Sequence, residues 1–237
     1  MGSIADCLAA IKYTVYEKQL TTMSQLLDAL HENFQGHNEL RRLLLLDTPK
    51  FGNDDDYVDE LAVRVFESYY AGINGRPNTK GGVHRINLLP TTVHVYFGSV
   101  TGALPDGRRA GTPLSEGVSP VQGADRHGPT AVLRSVAKMD HLRTGGTLLN
   151  QKLSPRLMEG ETGLDLMLHL VRAYFRLDGH HIQFNVVDAE TLREAQAHPD
   201  QHRDLIVRVA GYSDYFCDLG PALQEEIIAR TEHESFG

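Results

Sequence analysis

A strand-like segment runs directly into a glycine turn near the C-terminal end of this 237-residue chain. Residues 205–209 are apolar and mostly β-branched apart from Arg208, and Ala210, Gly211 and Tyr212 follow them. β-Branched residues favour an extended backbone, whereas glycine readily adopts the turn conformations that other residues avoid. The pattern predicts a strand that turns sharply at Gly211. A lone glycine after a strand is ordinarily a turn residue only, so its role depends on the residues around it.

The second half of the chain alternates between strand-like and helix-like patterns. Strands are predicted at residues 91–97, 148–152 and 182–187. Helices are predicted at residues 163–175, 189–198 and 221–230. A loop rich in glycine and proline, residues 98–128, has the length that usually means function or disorder. Alternation of this kind predicts the α/β class.

The first part of the chain has helical spacing instead. Helices are predicted at residues 4–15, 22–30 and 54–70, the last with acidic residues in its first turn. Residues 40–46 form an apolar run too short to classify by its period, and residues 74–82 are a turn-rich break. We therefore expect a mainly helical segment over residues 1–82, followed by a strand-containing part over residues 83–237.

Composition excludes several classes of function. The net charge is −8 and the basic residues are interspersed with acidic ones, so no nucleic-acid or membrane partner is expected. No apolar run approaches the roughly 20 residues of a membrane span. Two cysteines far apart in sequence argue against a disulfide scaffold and suit a reducing cytoplasm. No Cys-x-x-Cys motif is present, so this sequence carries no iron–sulfur centre of its own.

Two histidine pairs raise the question of a metal site. His180 and His181 are adjacent, and adjacent residues on a strand point to opposite faces. His198 and His202 have helical spacing, but Pro199 interrupts the helix that such a pair needs. Neither pair has a nearby cysteine or paired carboxylates to complete a site. No metal ligand is predicted.

The nine residues 208–216 read Arg-Val-Ala-Gly-Tyr-Ser-Asp-Tyr-Phe. This segment is similar to the radical loop Arg-Val-x-Gly-Tyr-Ser-x-x-Phe of the glycyl radical enzymes, which belong to the pyruvate formate-lyase-like superfamily. Further segments resemble the family in its order and at roughly its spacing. They are residues 3–6, 8–12, 52–59, 102–110, 117–120 and 181–187. Within the family the resemblance is greatest to the dehydratase and lyase branch.

The resemblance implies a radical on the backbone of Gly211. A Cα radical flattens between an amide nitrogen and a carbonyl, and glycine has no Cβ to clash in that planar form. The remaining residues of the implied radical loop are Arg208, Val209, Ala210, Tyr212, Ser213 and Phe216. No bound cofactor is expected, because a separate radical S-adenosylmethionine activase installs the radical in this family. The implied fold is the C-terminal half of a ten-stranded α/β barrel, with the radical loop pointing into its centre.

The resemblance also implies a cysteine thiyl relay, which this sequence does not contain in full. The thiyl cysteine of the family lies in a Gly-Cys-x-Glu motif well upstream of the glycine, and no such motif is present. Cys7 and Cys217 are both expected to be structural. The cysteine would then lie on a missing N-terminal portion or on a Cys-bearing large subunit. Alternatively, the chain is a stand-alone radical carrier that repairs another enzyme.

The expected activity is that of an oxygen-sensitive, anaerobic lyase acting on a small polar substrate. A dehydratase is favoured, with trans-4-hydroxy-L-proline as the first choice of substrate, and acyl transfer of the formate acetyltransferase type is the alternative. By resemblance, Thr91 and Thr92 lie where the barrel presents residues to substrate, although both also suit the packing of a strand. An oligomer in the cytoplasm is expected.

Overall fold

Helices surround a small parallel sheet in the structure, a computed structural model that describes residues 1–236. The helices are α1 Gly2–Ile11, α2 Met23–His31, α3 Asn38–Leu46, α4 Asp56–Ile73, α5 Val93–Val100, α6 Gly128–Ala137, α7 Gly160–Arg176, α8 Ala189–Ala197 and α9 Pro221–Ala229. The strands are β1 Asn150–Leu153, β2 Gln183–Val186, β3 Ile206–Arg208, β4 Ser213–Tyr215 and β5 Glu232–His233. This mixture of helices and strands confirms the predicted α/β class.

The N-terminal helices form as their patterns predict. α1 continues into a π-helical turn over Lys12–Glu17, and small residues on its inner face, Ala5 and Ala9, are fully buried in the same cluster as α4 residues. α4 begins where Asp55 accepts a hydrogen bond from the backbone of Tyr57, which satisfies a free amide of its first turn. The short apolar run at residues 40–46 forms most of α3, Asn38–Leu46.

β1 is the central strand of the parallel sheet, with β2 on one side and β5 on the other. Asn150 pairs with Gln183 and Lys152 with Asn185. The crossover that parallel strands require is supplied by α7, which lies between β1 and β2 in sequence. Both strands were predicted within two residues of their ends. Every residue of β1 is buried although three of the four are polar, and the side chains of Asn150 and Lys152 have hydrogen-bond partners within the protein.

β3 and β4 form an antiparallel hairpin outside that sheet. Ile206 pairs with Tyr215 and Arg208 with Ser213. The hairpin lies against α8 and α9 through a second core, in which Val207 and Phe216 are buried together with residues of both helices. This core places the turn of the hairpin beside β1.

One predicted strand is wrong. Residues 91–97 are β-branched and aromatic, yet Val93–Val100 is a helix, α5. Gly98 allows the helix to approach its neighbours closely, since a Cβ there would lie 2.3 Å from the carbonyl oxygen of Thr112. The guanidinium of Arg108 donates to the Gly98 carbonyl at 2.6 Å and so stabilises the end of α5. These tertiary contacts outweigh the strand propensity, which is weak and depends on context.

The largest core crosses the predicted boundary at residue 82. It includes Ala5 and Phe66 from the helical part together with Val132, Leu149 and Tyr174 from the rest of the chain. The division of the chain at this residue stays a prediction. No helix within residues 1–236 has both the length and the apolar character needed to span a membrane.

Candidate functional site

The turn between β3 and β4 has a backbone suited to glycine. The amide of Val209 donates to the carbonyl of Tyr212 at 2.9 Å, which leaves Ala210 and Gly211 at the tip. Gly211 has φ +81°, as in the third position of a type II turn. A Cβ at this position would make only an ordinary contact, 3.8 Å from Cδ1 of Leu148. The conformation, not lack of space, is therefore what favours glycine in the resting turn.

The carbonyl of Val209 is held by three buried side chains from three other elements. Nδ2 of Asn150 lies 3.2 Å away, Nε2 of Gln183 also 3.2 Å, and Nη2 of Arg230 3.1 Å. A carbonyl oxygen has only two lone pairs, so three convergent donors restrain its position strongly. The turn is thereby tied to β1, to β2 and to the end of α9.

Arg208, the residue before Val209, is held at both its backbone amide and its carbonyl. The Asn185 side chain donates to the carbonyl of Arg208 at 2.8 Å and accepts from its amide at 2.7 Å. The side chain of Arg208 donates from Nε to Gln183 at 3.1 Å and from Nη1 to Ser213 at 3.2 Å. Arg208 is thus an anchor of the turn and not a solvated strand end.

Burial divides the predicted loop into two halves. Val209, Ala210 and Phe216 are buried, whereas Gly211, Tyr212 and Ser213 are exposed. The entry of the turn is therefore fixed in the protein, while its tip and exit face outwards from this chain.

A cluster of buried charges supports the turn from behind. Arg230 makes two hydrogen bonds to Glu226, at 2.7 and 3.1 Å, and Nε2 of His94 lies 3.4 Å from the same carboxylate. Burial by itself raises the pKa of Glu226, but the charge and the hydrogen bonds of Arg230 outweigh it, and the pKa is lowered to about 2. Burial raises the pKa of nearby Glu116, which has no such bidentate partner. Glu226 is thus the charged partner that keeps Arg230 directed at the turn.

The two predicted pocket threonines lie at the start of α5. Thr92 is its N-cap residue, and Thr91 before it is exposed with φ +54°. The hydroxyl of Thr91 donates to the carbonyl of Pro90 at 2.6 Å. A β-branched residue with positive φ is rare, and such strain concentrates at functional sites. Leu88, three residues before Thr91, pairs with Thr147 just before β1, whereas the glycine turn is bonded to Asn150 at the start of β1.

Neither cysteine lies in the glycine turn itself. Cys7 lies in α1, where burial raises the pKa of its thiol far above the usual range. Cys217 follows β4, and its sulfur lies 3.3 Å from the carbonyl of His202. Burial also raises the pKa of this thiol. Neither thiol makes a hydrogen bond to the glycine turn.

Within residues 1–236, no group of three or more His, Cys, Asp or Glu side chains has an arrangement that would hold a metal ion.

The functional residues absent from the sequence-based prediction are the anchors Asn150, Gln183, Asn185 and Arg230. Sequence does contain one signal for them, because Gln183 and Asn185 are polar residues with a spacing of two in an otherwise apolar strand.

Comparison with known proteins agrees with this arrangement. The family model described as glycine radical matches residues 114–217, and the one described as pyruvate formate lyase-like matches residues 1–98. A trans-4-hydroxy-L-proline dehydratase of Clostridioides difficile is 55% identical over 232 residues, which are 98% of this chain and 29% of that protein. The chain thus spans less than a third of the length of this relative.

Solved structures show the same relationship. The crystal structure of the hydroxyproline dehydratase from Clostridioides difficile, with trans-4-hydroxy-L-proline bound, matches with a TM-score of 0.96 at 55% identity. The match covers 99% of this chain and 30% of that chain. The glycerol-bound, B12-independent glycerol dehydratase from Clostridium butyricum matches with a TM-score of 0.94 at 46% identity, with coverages of 99% and 30%. From the two family models, the sequence identities and the shared fold, this chain belongs to the glycyl radical enzyme family.

Proposed function

We propose that Gly211 carries a backbone radical and that this chain is the radical-bearing part of a dehydratase-type lyase. The observation that carries the proposal is the glycine turn itself. Its entry is held by side chains from β1, β2 and the end of α9, whereas Gly211 and Tyr212 at its tip are exposed. A reactive centre needs this combination of fixed position and access to a partner group.

The chemistry that we propose is a relay of hydrogen atoms. The Gly211 radical takes hydrogen from a cysteine thiol, which regenerates the glycine and leaves a thiyl radical. The thiyl then takes hydrogen from a C–H bond of the substrate. The substrate radical expels its hydroxyl group as water once a general acid protonates that oxygen, and the substrate gives a proton back to the protein. The product radical finally takes hydrogen from the thiol, and the thiyl so formed takes hydrogen from Gly211, which restores the glycyl radical without a net oxidant.

We place the cysteine of this relay on a segment or chain other than residues 1–237. Neither Cys7 nor Cys217 makes a hydrogen bond to the turn, and burial raises the pKa of both thiols. In the proposed complete enzyme, the exposed tip of the turn faces the interior of a ten-stranded α/β barrel, of which this chain forms the C-terminal half. The covering residues would exclude water and oxygen from the radical.

For the substrate we propose trans-4-hydroxy-L-proline. The support is the 55% identity to a dehydratase of that amino acid over 98% of the chain. Thr91 would orient a polar group of the substrate, because its side chain is exposed. Its backbone is strained, with φ +54°, and such strain concentrates at functional sites. A radical S-adenosylmethionine activase would install the radical. We expect the complete enzyme to be an oligomer and to work anaerobically in the cytoplasm.

The test is anaerobic activation of the full-length protein followed by electron paramagnetic resonance. We expect a doublet from the α-hydrogen of Gly211, and after exposure to air we expect backbone cleavage at this residue. Gly211→Ala should abolish both signals. Gly220→Ala is the matched control, since Gly220 also lies in this part of the chain, has an ordinary φ of −63° and has open space for a Cβ. A doublet that survives in Gly211→Ala would overturn the proposal.

The substrate is tested separately by product analysis. The activated, complete enzyme is offered trans-4-hydroxy-L-proline, glycerol, 1,2-propanediol, isethionate, and pyruvate with coenzyme A. Dehydration of hydroxyproline supports the full proposal. Acetyl-coenzyme A and formate as the only products would replace the lyase by an acyl transferase, while turnover of a diol alone would change the substrate and keep the reaction type.

A radical-carrying subunit that completes another chain is the second candidate. One observation favours it, namely that the anchors named above, Asn150, Gln183, Asn185 and Arg230, all belong to this chain. An isolated chain would then hold the turn in its working geometry. The discriminating test adds the activated chain to a Cys-bearing enzyme whose own radical glycine has been removed. Recovery of turnover would favour the carrier, and its absence the single-enzyme interpretation.

A further inference from the structure

We infer that Gln183 is a positioning residue that pins the nitrogen side of Gly211 and thereby sets the stability of its radical. The inference rests on the proposed radical at Gly211. Its basis is a hydrogen bond of 3.0 Å from the Gly211 amide to Oε1 of Gln183. This is a contact to the reacting residue itself, whereas the other anchors contact only Arg208 or Val209 within the turn.

The orientation of the Gln183 amide is fixed by four partners. Oε1 accepts from Gly211 and also from Nε of Arg208, at 3.1 Å. Nε2 donates to the carbonyl of Val209 at 3.2 Å and to the side-chain oxygen of Asn150. A rotation of the amide by 180° would place two donors against two donors and two acceptors against two acceptors. The oxygen must therefore point towards Gly211.

Burial strengthens this arrangement. Gln183 is only 5% exposed and Asn150 only 8%. In such surroundings few waters are available to replace a lost partner, and connected hydrogen bonds polarise one another. The side chain thus acts as a rigid acceptor, placed by β2 through the register that pairs Gln183 with Asn150.

The two sides of Gly211 differ in their restraint. Its amide is held by Gln183, and the carbonyls of Arg208 and Val209 just before it are held as well. On the other side, no hydrogen bond within residues 1–236 reaches the Gly211 carbonyl, and Tyr212 is 39% exposed. Rotation about the N–Cα bond can therefore move the carbonyl side while the amide stays in place.

Such a rotation is what radical formation requires. The unpaired electron spreads onto the amide nitrogen only when the peptide plane approaches the plane of the flattened Cα. The resting φ of +81° is nearly perpendicular to that geometry. With the amide pinned, the turn can flatten in one way only, by movement of its exposed half. The hydrogen bond to Oε1 also polarises the N–H bond of Gly211. This raises the electron density on the nitrogen and makes it a better electron donor to Cα.

The experiment compares variants of the full-length protein after anaerobic activation. Gln183→Met keeps the length of the side chain and removes the acceptor. Gln183→Glu keeps an acceptor oxygen towards Gly211 and Arg208. Asn185→Ser is the matched control, because it breaks two hydrogen bonds to Arg208 and leaves the Gly211 amide bonded. The readouts are the hyperfine coupling of the ¹⁵N-labelled glycine amide and the anaerobic lifetime of the doublet.

We expect Gln183→Met to change the nitrogen coupling and to shorten the radical lifetime about two- to tenfold, the range that corresponds to one hydrogen bond. Gln183→Glu should retain a coupling near that of the wild type, and Asn185→Ser should leave the coupling unchanged. An unchanged coupling in Gln183→Met would overturn the inference. So would an equal change in Asn185→Ser, or loss of the doublet in Gln183→Glu with an unchanged unfolding temperature. Failure of the wild type to give a doublet would instead contradict the radical at Gly211.

Discussion

The guanidinium of Arg230 lies 2.7 Å from the carboxylate of Glu226 at the end of α9, and both side chains are buried. The same guanidinium donates to the carbonyls of Arg208 and Val209, at 3.3 and 3.1 Å. One buried ion pair therefore connects the last helix of the chain to the entry of the glycine turn. The stability of this ion pair and the position of the glycine turn therefore depend on each other.

Removal of one partner of this pair should be strongly destabilising. Arg230→Met leaves Glu226 buried without its counter-charge, which costs about 3–5 kcal/mol in comparable cases. Arg193→Met is the matched control, because Arg193 forms an exposed ion pair with Glu225, the residue next to Glu226 in sequence. Such exposed pairs contribute about 0–1 kcal/mol to stability. Urea unfolding measures both losses. Equal losses in the two variants would contradict the structural role of the buried pair.

The same pair predicts a loss of stability in acid. The folded pKa of Glu226, about 2, lies below the ordinary value for a glutamate. An acid whose pKa is lower in the folded state than in the unfolded state stabilises the fold fully at any pH above its unfolded pKa. For Glu226 this contribution disappears as the pH falls from about 4.5 to 2. Glu226→Gln should be less stable than the wild type at pH 6 and should lose less stability between pH 6 and pH 3. Parallel curves for the two proteins would refute this assignment.

A buried aspartate should act in the opposite direction. Burial raises the pKa of Asp6 to about 7, although its Oδ1 accepts a hydrogen bond of 2.7 Å from the amide of Phe51. The folded protein then holds a proton that the unfolded chain releases, so stability falls as the pH rises from about 4 to 7. Asp6→Asn should remove this dependence and be more stable than the wild type at pH 8. The exposed Asp165→Asn is the control in chemical unfolding at pH 5 and 8, and a similar gain there would count against the prediction.

Thr91 should contribute to turnover and not to the radical. Thr91→Val keeps the β-branched shape at φ +54° but removes the hydroxyl. An unpaired polar group of the substrate would cost about 1–3 kcal/mol, or roughly tenfold to a hundredfold in rate. The radical yield at Gly211 should stay unchanged. Thr162→Val is the control, since Thr162 is an exposed threonine of α7 that lies outside the predicted pocket. Turnover that is insensitive to Thr91→Val would remove this residue from the proposed pocket.

The two thiols should be dispensable for the reaction. Thiolate is the reactive form of cysteine, and burial raises the pKa of Cys7 and of Cys217. Both should react slowly with iodoacetamide at pH 8 until the protein unfolds. Cys7→Ala and Cys217→Ser, singly or together, should leave most of the activity of the complete enzyme. Loss of activity in Cys217→Ser without loss of folding would place the thiyl on this residue.

Local patterns in the sequence predict most of the regular elements. β2, α4, α7 and α9 form close to their predicted limits, because each carries a hydrophobic period of its own and short-range signals at its ends. The glycine turn was predictable for the same reason, since Ala210 and Gly211 directly follow a strand-like run.

Contacts between distant residues decide the rest. α5 is a helix and not a strand because Gly98 packs closely against the backbone of Thr112 and its carbonyl accepts a hydrogen bond from Arg108. No local sequence pattern indicates such a close approach. Gln183 lies 28 residues before Gly211, and Arg230 lies 21 residues after Val209. The sequence by itself determined most of the helices and strands and the glycine at the turn. Only the tertiary structure decided which polar side chains surround that glycine, because a hydrogen bond between remote residues depends on how β1, β2 and α9 pack together.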